Sequence, residues 1–180
     1  MTELSIRPAG AADIPAITRI YAHAVLHGSA SFELEPPDEA EMARRHRALI
    51  DGGYPYLAAE QDGAVVGYAY AGPYRTRPAY NWTVEDSIYI DASAHGRGIG
   101  SALIDRLITE SEARGYRQII AVIGDSKQAA SIALHRRAGF RLVGSFENVG
   151  FKHGQWLDSV LMQRALGDGA TTRPYVGTKS

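Results

Sequence analysis

The chain has 180 residues, 45% of them hydrophobic, with 19 basic against 20 acidic side chains, a net charge of -1 and no cysteine. That length supports one domain with a substantial core, and a near-neutral chain without a basic run is not built to read nucleic acid. Without cysteine there is neither a disulfide nor a cysteine acyl-enzyme, so any acyl chemistry would proceed by direct transfer.

The opening run MTELSIRPAG has no charged segment leading into an apolar one, and nowhere do about 18 apolar residues follow one another, so a cytoplasmic protein with no membrane partner is expected. In chain order, Leu4 to Pro8 reads as a strand and Ile14 to Leu26 as a helix, with Asp13 at the N-cap position and Pro15 in the first turn. Asp38 and Glu41 are spaced as a capping pair for a second helix to Ile50, which Gly52 and Gly53 end. Tyr54 to Gln61 and Ala64 to Tyr74 are strands about Asp62-Gly63, a pair that tolerates the positive φ of a two-residue hairpin. Val84 to Asp91 is rich in β-branched and aromatic residues, with Val84, Ile88 and Ile90 on one pleat face and Glu85, Ser87 and Tyr89 on the other. A helix follows, in which Ala102, Leu103, Leu107 and Ile108 recur at helical spacing. Then come a strand, a helix ending HRRAGF, and two last strands, Phe140 to Gly150 and Trp156 to Leu166. From Gly167 the run GDGATTRPYVGTKS is polar and broken by Gly and Pro, so a domain over 1–166 and a flexible tail over 167–180 are predicted.

The segment HGRGIG between the fourth strand and its helix carries the first chemistry. Gly96, Gly98 and Gly100 fall on alternate positions, which lets the backbone turn sharply and present successive amides to an anion at a helix N-terminus. Three readings compete: a glycine-rich turn without a ligand, a dinucleotide fingerprint that would need glycine where Ser101 stands, and a coenzyme A pyrophosphate loop. Asp125, at the end of the next strand, stands roughly where the second reading would want a ribose-binding acid.

The run HGRGIGSALI resembles the acyl-CoA signature of the GCN5-related N-acetyltransferase (GNAT) superfamily, which Gly98 and Gly100 match and from which His95 departs at the first position. The segments YAGPYRTRPAYNWTVEDSIYI, AVIGDSKQAASIALHRRAGF and VGFKHGQWLDSVLM are similar to its phosphinothricin and methionine sulfoximine N-acetyltransferase branch, over roughly Ile6 to Leu166. The resemblance implies an α/β (α+β) GNAT fold: a single domain whose mixed central sheet of about seven strands is flanked by helices. It also implies acetyl-CoA as acetyl donor, a small amino-acid-like acceptor acetylated on its α-amino group, and a homodimer.

The resemblance assigns residues too. Glu85, in its TVE context, matches the family's catalytic glutamate, and a neutral amine requires such a proton acceptor. His135, in the context of Leu134, Gly139 and Phe140, matches a histidine that serves the leaving thiolate as acid or hydrogen-bond donor. Coenzyme contacts are implied for Ile88, Tyr89 and Ile90 of the strand, for His95, Gly96, Arg97, Gly98, Ile99, Gly100 and Ser101 of the loop, and for Gln128 and Ser131. Gln128 stands where the family commonly has asparagine. Arg75 and Arg77 match substrate-binding cations; in an extended loop, residues two apart project the same way and could converge on a carboxylate or phosphinate. Phe32, Tyr80, Lys152 and His153 match pocket segments.

Other constellations say less. His23 and His27 are one helical turn apart, but no third ligand is suitably spaced, so no metal is expected. Arg44, Arg45 and Arg47 read as an exposed basic helix face. The alternative to an enzyme is a module that binds acyl-CoA or a nucleotide without catalysis.

Overall fold

The computed structural model describes residues 3–174. Seven strands form one sheet in the order β1-β2-β3-β4-β5-β7-β6. Strands β1 (Leu4–Pro8), β2 (Tyr56–Gln61), β3 (Ala64–Pro73) and β4 (Thr83–Ile90) make an antiparallel meander, with the β2 and β3 hairpin turning on Asp62 (φ 53) and Gly63 (φ 75) as the sequence predicts. β4 and β5 (Gln118–Ile123) are parallel, because helix α3 (Ile99–Ala113) crosses between them. β7 (Gln155–Ala165) pairs antiparallel to β5 and carries β6 (Arg141–Lys152) on its outer side. The resemblance's mixed seven-stranded sheet is therefore present.

The alternation of side chains along the strands divides the interior into two cores. Leu57, Ala59, Ala69, Ala71, Val84 and Ile119 meet α3 and neighbours of α4 (Ala129–Arg137). Tyr56, Ala58 and Tyr68 meet α1 (Ile14–His27) and Met42 of α2 (Glu39–Asp51) on the opposite face. Burial of these side chains is the main source of stability. β6 has only the sheet edge: Leu142, Val143, Phe146, Val149 and Phe151 are all at least half exposed, as is Trp156 across the hairpin.

Three expectations change. Asp13 does not cap α1; its carboxylate accepts from the Gly10 amide at 2.8 Å and from both terminal nitrogens of Arg7 at 2.8 Å, closing a 3-10 turn ahead of the helix. A guanidinium fork competes well for a carboxylate, and it won here. Asp38 does cap α2, accepting from the Glu41 amide at 2.8 Å, but the Glu41 carboxylate turns to Arg44 and Arg45, so the expected basic face is largely ion-paired. The last hairpin turns on His153 (φ 50) and Gly154 (φ 73), which puts His153 at an exposed tip. Beyond β7, the Arg117 guanidinium donates to the Gly169 carbonyl at 3.2 Å and to Thr172 Oγ1 at 2.9 Å. Residues 175–180 of the expected tail lie outside the described residues.

Candidate active site

β4 and β5 pair only from Thr83–Asp86 against Gln118–Ala121. Beyond that point β4 continues to Ile90 and β5 to Ile123 without pairing to each other, so the sheet splits. The split opens into a cleft of about 620 Å³. Asp86 to Ile90 form one wall and Ala121 to Gly124 the other, with Ile20, His23, Ala24 and His27 of α1 along one side. A strand freed of its ladder leaves amides and carbonyls that need partners, which favours an extended polar guest.

The glycine loop closes one end of this cleft. Gly96 (φ 76) and Gly98 (φ 79) are left-handed, and a Cβ at either would meet no atom within 4 Å. Gly100 is glycine for a different reason: a Cβ there would lie 3.1 Å from Ile90 Cδ1 and 3.3 Å from Leu134 Cδ2, so it permits close packing of α3. The loop thus offers backbone to the cleft directly at the N-terminus of a helix of 15 residues, a geometry that fits a diphosphate.

Of the predicted coenzyme residues, Ile88, Tyr89, Ile90, His95, Gly96, Gly98, Gly100, Ser101, Gln128 and Ser131 line the cleft. Arg97 instead turns its guanidinium to the Ser93 carbonyl at 3.0 Å, and Ile99 sits in the core. His95 keeps a role within the loop, its Nε2 lying 3.1 Å from the Ile90 carbonyl oxygen.

At the fork of the split, neighbouring carboxylates point to opposite faces of β4. Glu85 is partly buried on the α1 side, and burial, with the charge of Asp86 added, pushes its carboxyl up to about 7. Asp86 is buried on the other face, where its Oδ2 lies 2.9 Å from His135 Nε2. The His135 Nδ1–H donates to the Ser131 carbonyl at 2.8 Å, so both ring nitrogens are engaged. Burial opposes charging of this imidazole, but the Asp86 hydrogen bond and charge, with the Ser131 carbonyl, outweigh it and raise its pKa. The pleat parity of Asp86 opposite Glu85 was visible in the sequence, but that α4 would deliver a histidine to it was not.

The predicted acceptor residues fall into two groups. Arg75 packs over the rings of Tyr74 and Tyr80, at 5.2 and 5.8 Å from their centroids, and Arg77 precedes the 3-10 turn Pro78–Tyr80. The segment bends at Tyr74, Thr76 and Arg77 and is not the extended loop on which the expected parallel projection of Arg75 and Arg77 rested. Phe32 and Lys152 belong to a second group near the far end of the cleft: the ring of Phe32 lies against Gly124 and Gly150, and Lys152 Nζ donates to the Ser31 carbonyl at 2.7 Å. Among the described residues no group of three metal-ligating side chains converges.

A mixed sheet split between parallel β4 and β5, with a glycine loop at the mouth, is the architecture of an acyl transferase that seats its carrier between strands. Residues 18–140 match the acetyltransferase (GNAT) family, and the chain belongs to that family as an N-acetyltransferase. It is 52% identical over 162 residues to a phosphinothricin N-acetyltransferase of Alcaligenes faecalis, covering 90% of this chain and 82% of that one. It is 40% identical over 167 residues to an L-methionine sulfoximine/L-methionine sulfone acetyltransferase of Salmonella typhimurium, covering 93% and 97%. A solved phosphinothricin acetyltransferase from Sinorhizobium meliloti, in complex with AcCoA, superposes with a TM-score of 0.95 at 50% identity over 98% of this chain and 95% of that one.

Proposed function

We propose that this chain transfers the acetyl group of acetyl-CoA to the α-amino group of a small amino-acid acceptor of the phosphinothricin and methionine sulfoximine class, directly and with Glu85 as general base. The observation that carries the reading is Glu85 itself: a half-buried carboxylate on β4 next to Asp86, the last residue before the strand parts from β5, pushed up to about 7, where it can accept a proton near neutral pH. The Sinorhizobium relative holds AcCoA, and the glycine loop with Gln128 and Ser131 offers the same kind of carrier a seat.

In this reading the acceptor arrives as an ammonium and gives its proton to the Glu85 carboxylate, directly or through water. The freed amine attacks the thioester carbonyl, forming the C–N bond; as the tetrahedral intermediate collapses the C–S bond breaks, the thiolate leaves, and the nitrogen gives up its extra proton to water, which replaces the one the thiolate takes up. The Asp86 and His135 pair borders the same cleft and holds a proton between Nε2 and Oδ2, from which the thiolate can be protonated once one of those hydrogen bonds opens. Arg75 and Arg77 stand at the β3 and β4 connection as the cations for an acceptor's anionic groups.

The assembly is a homodimer in this reading, acting in the cytoplasm. The exposed apolar side chains of β6 support it, since Phe146, Val149 and Phe151 stand more than half exposed on the strand at the end of the sheet, where a second copy could cover them. Phe146→Asp should then sediment as a monomer. The decisive test of function is thiol release from acetyl-CoA on adding a panel of amino acids. A protein that binds the coenzyme and releases no thiol with phosphinothricin, methionine sulfoximine or any amino acid tried would overturn the reading.

A further inference from the structure

Between α1 and α2 the chain has no regular secondary structure from Gly28 to Asp38, yet the five residues Ser29 to Glu33 are fastened almost one by one. Gln128 Nε2 of the α4 N-cap donates to Ser29 Oγ at 2.9 Å. The Tyr21 hydroxyl lies 2.8 Å from Ser31 Oγ and donates to Glu33 Oε1 at 2.9 Å, and Arg45 donates to the same Glu33 oxygen at 2.6 Å. The Phe32 ring occupies a groove floored by two glycines: a Cβ on Gly150 would stand 2.5 Å from its Cε2, and a Cβ on Gly124 would stand 2.9 Å from its Cε1 while striking the Ser29 carbonyl. Neither glycine has a positive φ, so close approach and not backbone conformation is what each supplies.

The anchor that stands out is Lys152. Its side chain comes from the end of β6, is 3% exposed, and donates to the Ser31 carbonyl at 2.7 Å. Burying an ammonium is costly unless it fixes something, and the group it fixes is the middle of this strap. Gly28 and Ala30 line the cleft, as does Gly124, so the strap's near side is the cleft wall and its far side is held by Lys152. Lys152 itself does not line the cleft.

We propose that Lys152, with the groove formed by Gly124 and Gly150, is a positioning and specificity-determining element that fixes the Ser29–Glu33 strap as the wall against which the acceptor's side chain is measured. This rests on the reading of the cleft as an amino-acid N-acetyltransferase site. A fixed wall is needed because pockets discriminate side-chain length by a modest energy per methylene, which a wall able to yield would forfeit. Lys152 therefore acts on the acceptor through Ser31 and Phe32 rather than by touching it.

The test uses the full-length protein with two variants that attack the strap independently, Lys152→Met and Gly150→Ala, and with Lys152→Arg as the conservative replacement. Amide exchange over residues 29–33 should quicken roughly tenfold or more in the first two, as expected for a segment that loses its tether. The acceptor KM for methionine sulfoximine should rise roughly tenfold while kcat and acetyl-CoA affinity stay within about threefold of the parent, and Lys152→Arg should recover part of the loss. Unchanged exchange in both variants overturns the proposal, and so does quickened exchange with an unchanged acceptor KM. A joint fall of kcat and acetyl-CoA affinity also overturns it, because that pattern marks general loss of structure. The parent's own turnover decides the underlying function separately: if it acetylates no amino acid, that reading fails while the exchange measurement still rules on the tether.

Discussion

Asp86 and His135 meet at 2.9 Å across the join of β4 and α4, with both side chains buried and the second carboxylate oxygen of Asp86 left without a hydrogen-bond partner among the described residues. The pair fastens the strand that carries Glu85 to the helix that carries Ser131, and so sets how far the cleft stands open. Because the folded pKa of His135 is raised, the stabilisation it contributes is complete below its unfolded value near 6.5 and is lost as pH rises through the folded value. His135→Gln should therefore lose most stability relative to the parent below pH 6.5, with the gap narrowing at higher pH. Melting temperatures of the two proteins from pH 5 to 9 check this; a gap that is constant or widens with pH would show that the pair is not charged.

Glu85 carries the opposite trade. Glu85→Gln keeps shape and hydrogen bonding but cannot accept a proton, so kcat should fall by about 10² or more. In the parent, kcat/KM should rise with pH through a midpoint near 7 as the carboxyl ionises. The same shift means that ionised Glu85 weakens the fold, by nothing below the unfolded value of 4.5 and by an amount that grows until pH passes about 7. The glutamine variant should accordingly be the more stable protein above pH 7, by about 2 kcal/mol after allowing for solvent screening of a half-buried group, and equal to the parent at pH 4. An inactive variant with no gain in stability would separate catalysis from burial; near-normal kcat from pH 6 to 9 would remove Glu85 from the role of base.

The loop glycines should respond in distinct ways. Gly98→Val forces a β-branched residue into a left-handed conformation at about 1 to 2 kcal/mol and fills space facing the cleft, so acetyl-CoA affinity should drop roughly tenfold, or about 1.4 kcal/mol. Gly100→Val presses on Ile90 and Leu134, so its larger effect should be on the melting temperature. Titration calorimetry and thermal melts on both variants distinguish the two; unchanged coenzyme affinity in folded Gly98→Val would mean that the loop is not the diphosphate seat.

Substrate class is tested at Arg75 and Arg77. Replacing both by Gln should raise the KM of an anionic acceptor by about 2 to 3 kcal/mol in binding terms and leave acetyl-CoA affinity alone, while a neutral amine should be indifferent. Since Arg75 already stacks on Tyr74 and Tyr80, the single Arg77→Gln change should act more cleanly on the acceptor than Arg75→Gln. Acceptor kinetics with amino acids and their amides decide it, and a double variant as active as the parent on methionine sulfoximine would refute the anionic-acceptor reading.

What the sequence determined by itself was everything governed by local rules. The Asp62-Gly63 hairpin, the Asp38 cap, the alternation that put Val84 and Ile88 on one face and Glu85 on the other, and the glycine loop opening α3 all depend on residues a few positions apart, and chemistry at that range is written in order along the chain. Family resemblance then supplied the carrier, and singled out Glu85 and His135 by their contexts for the roles proposed for them. What only the tertiary structure decided were meetings between distant segments. Arg7 took Asp13 from its helix; Asp86 acquired His135, 49 positions away; Lys152 reached Ser31 across 121; and β4 parted from β5 after Ala121, so that a cleft exists at all. Such pairings depend on which of several competing donors folding brings within about 3 Å, and hydrogen-bond and Coulomb energies that steep with distance have no imprint in local spacing.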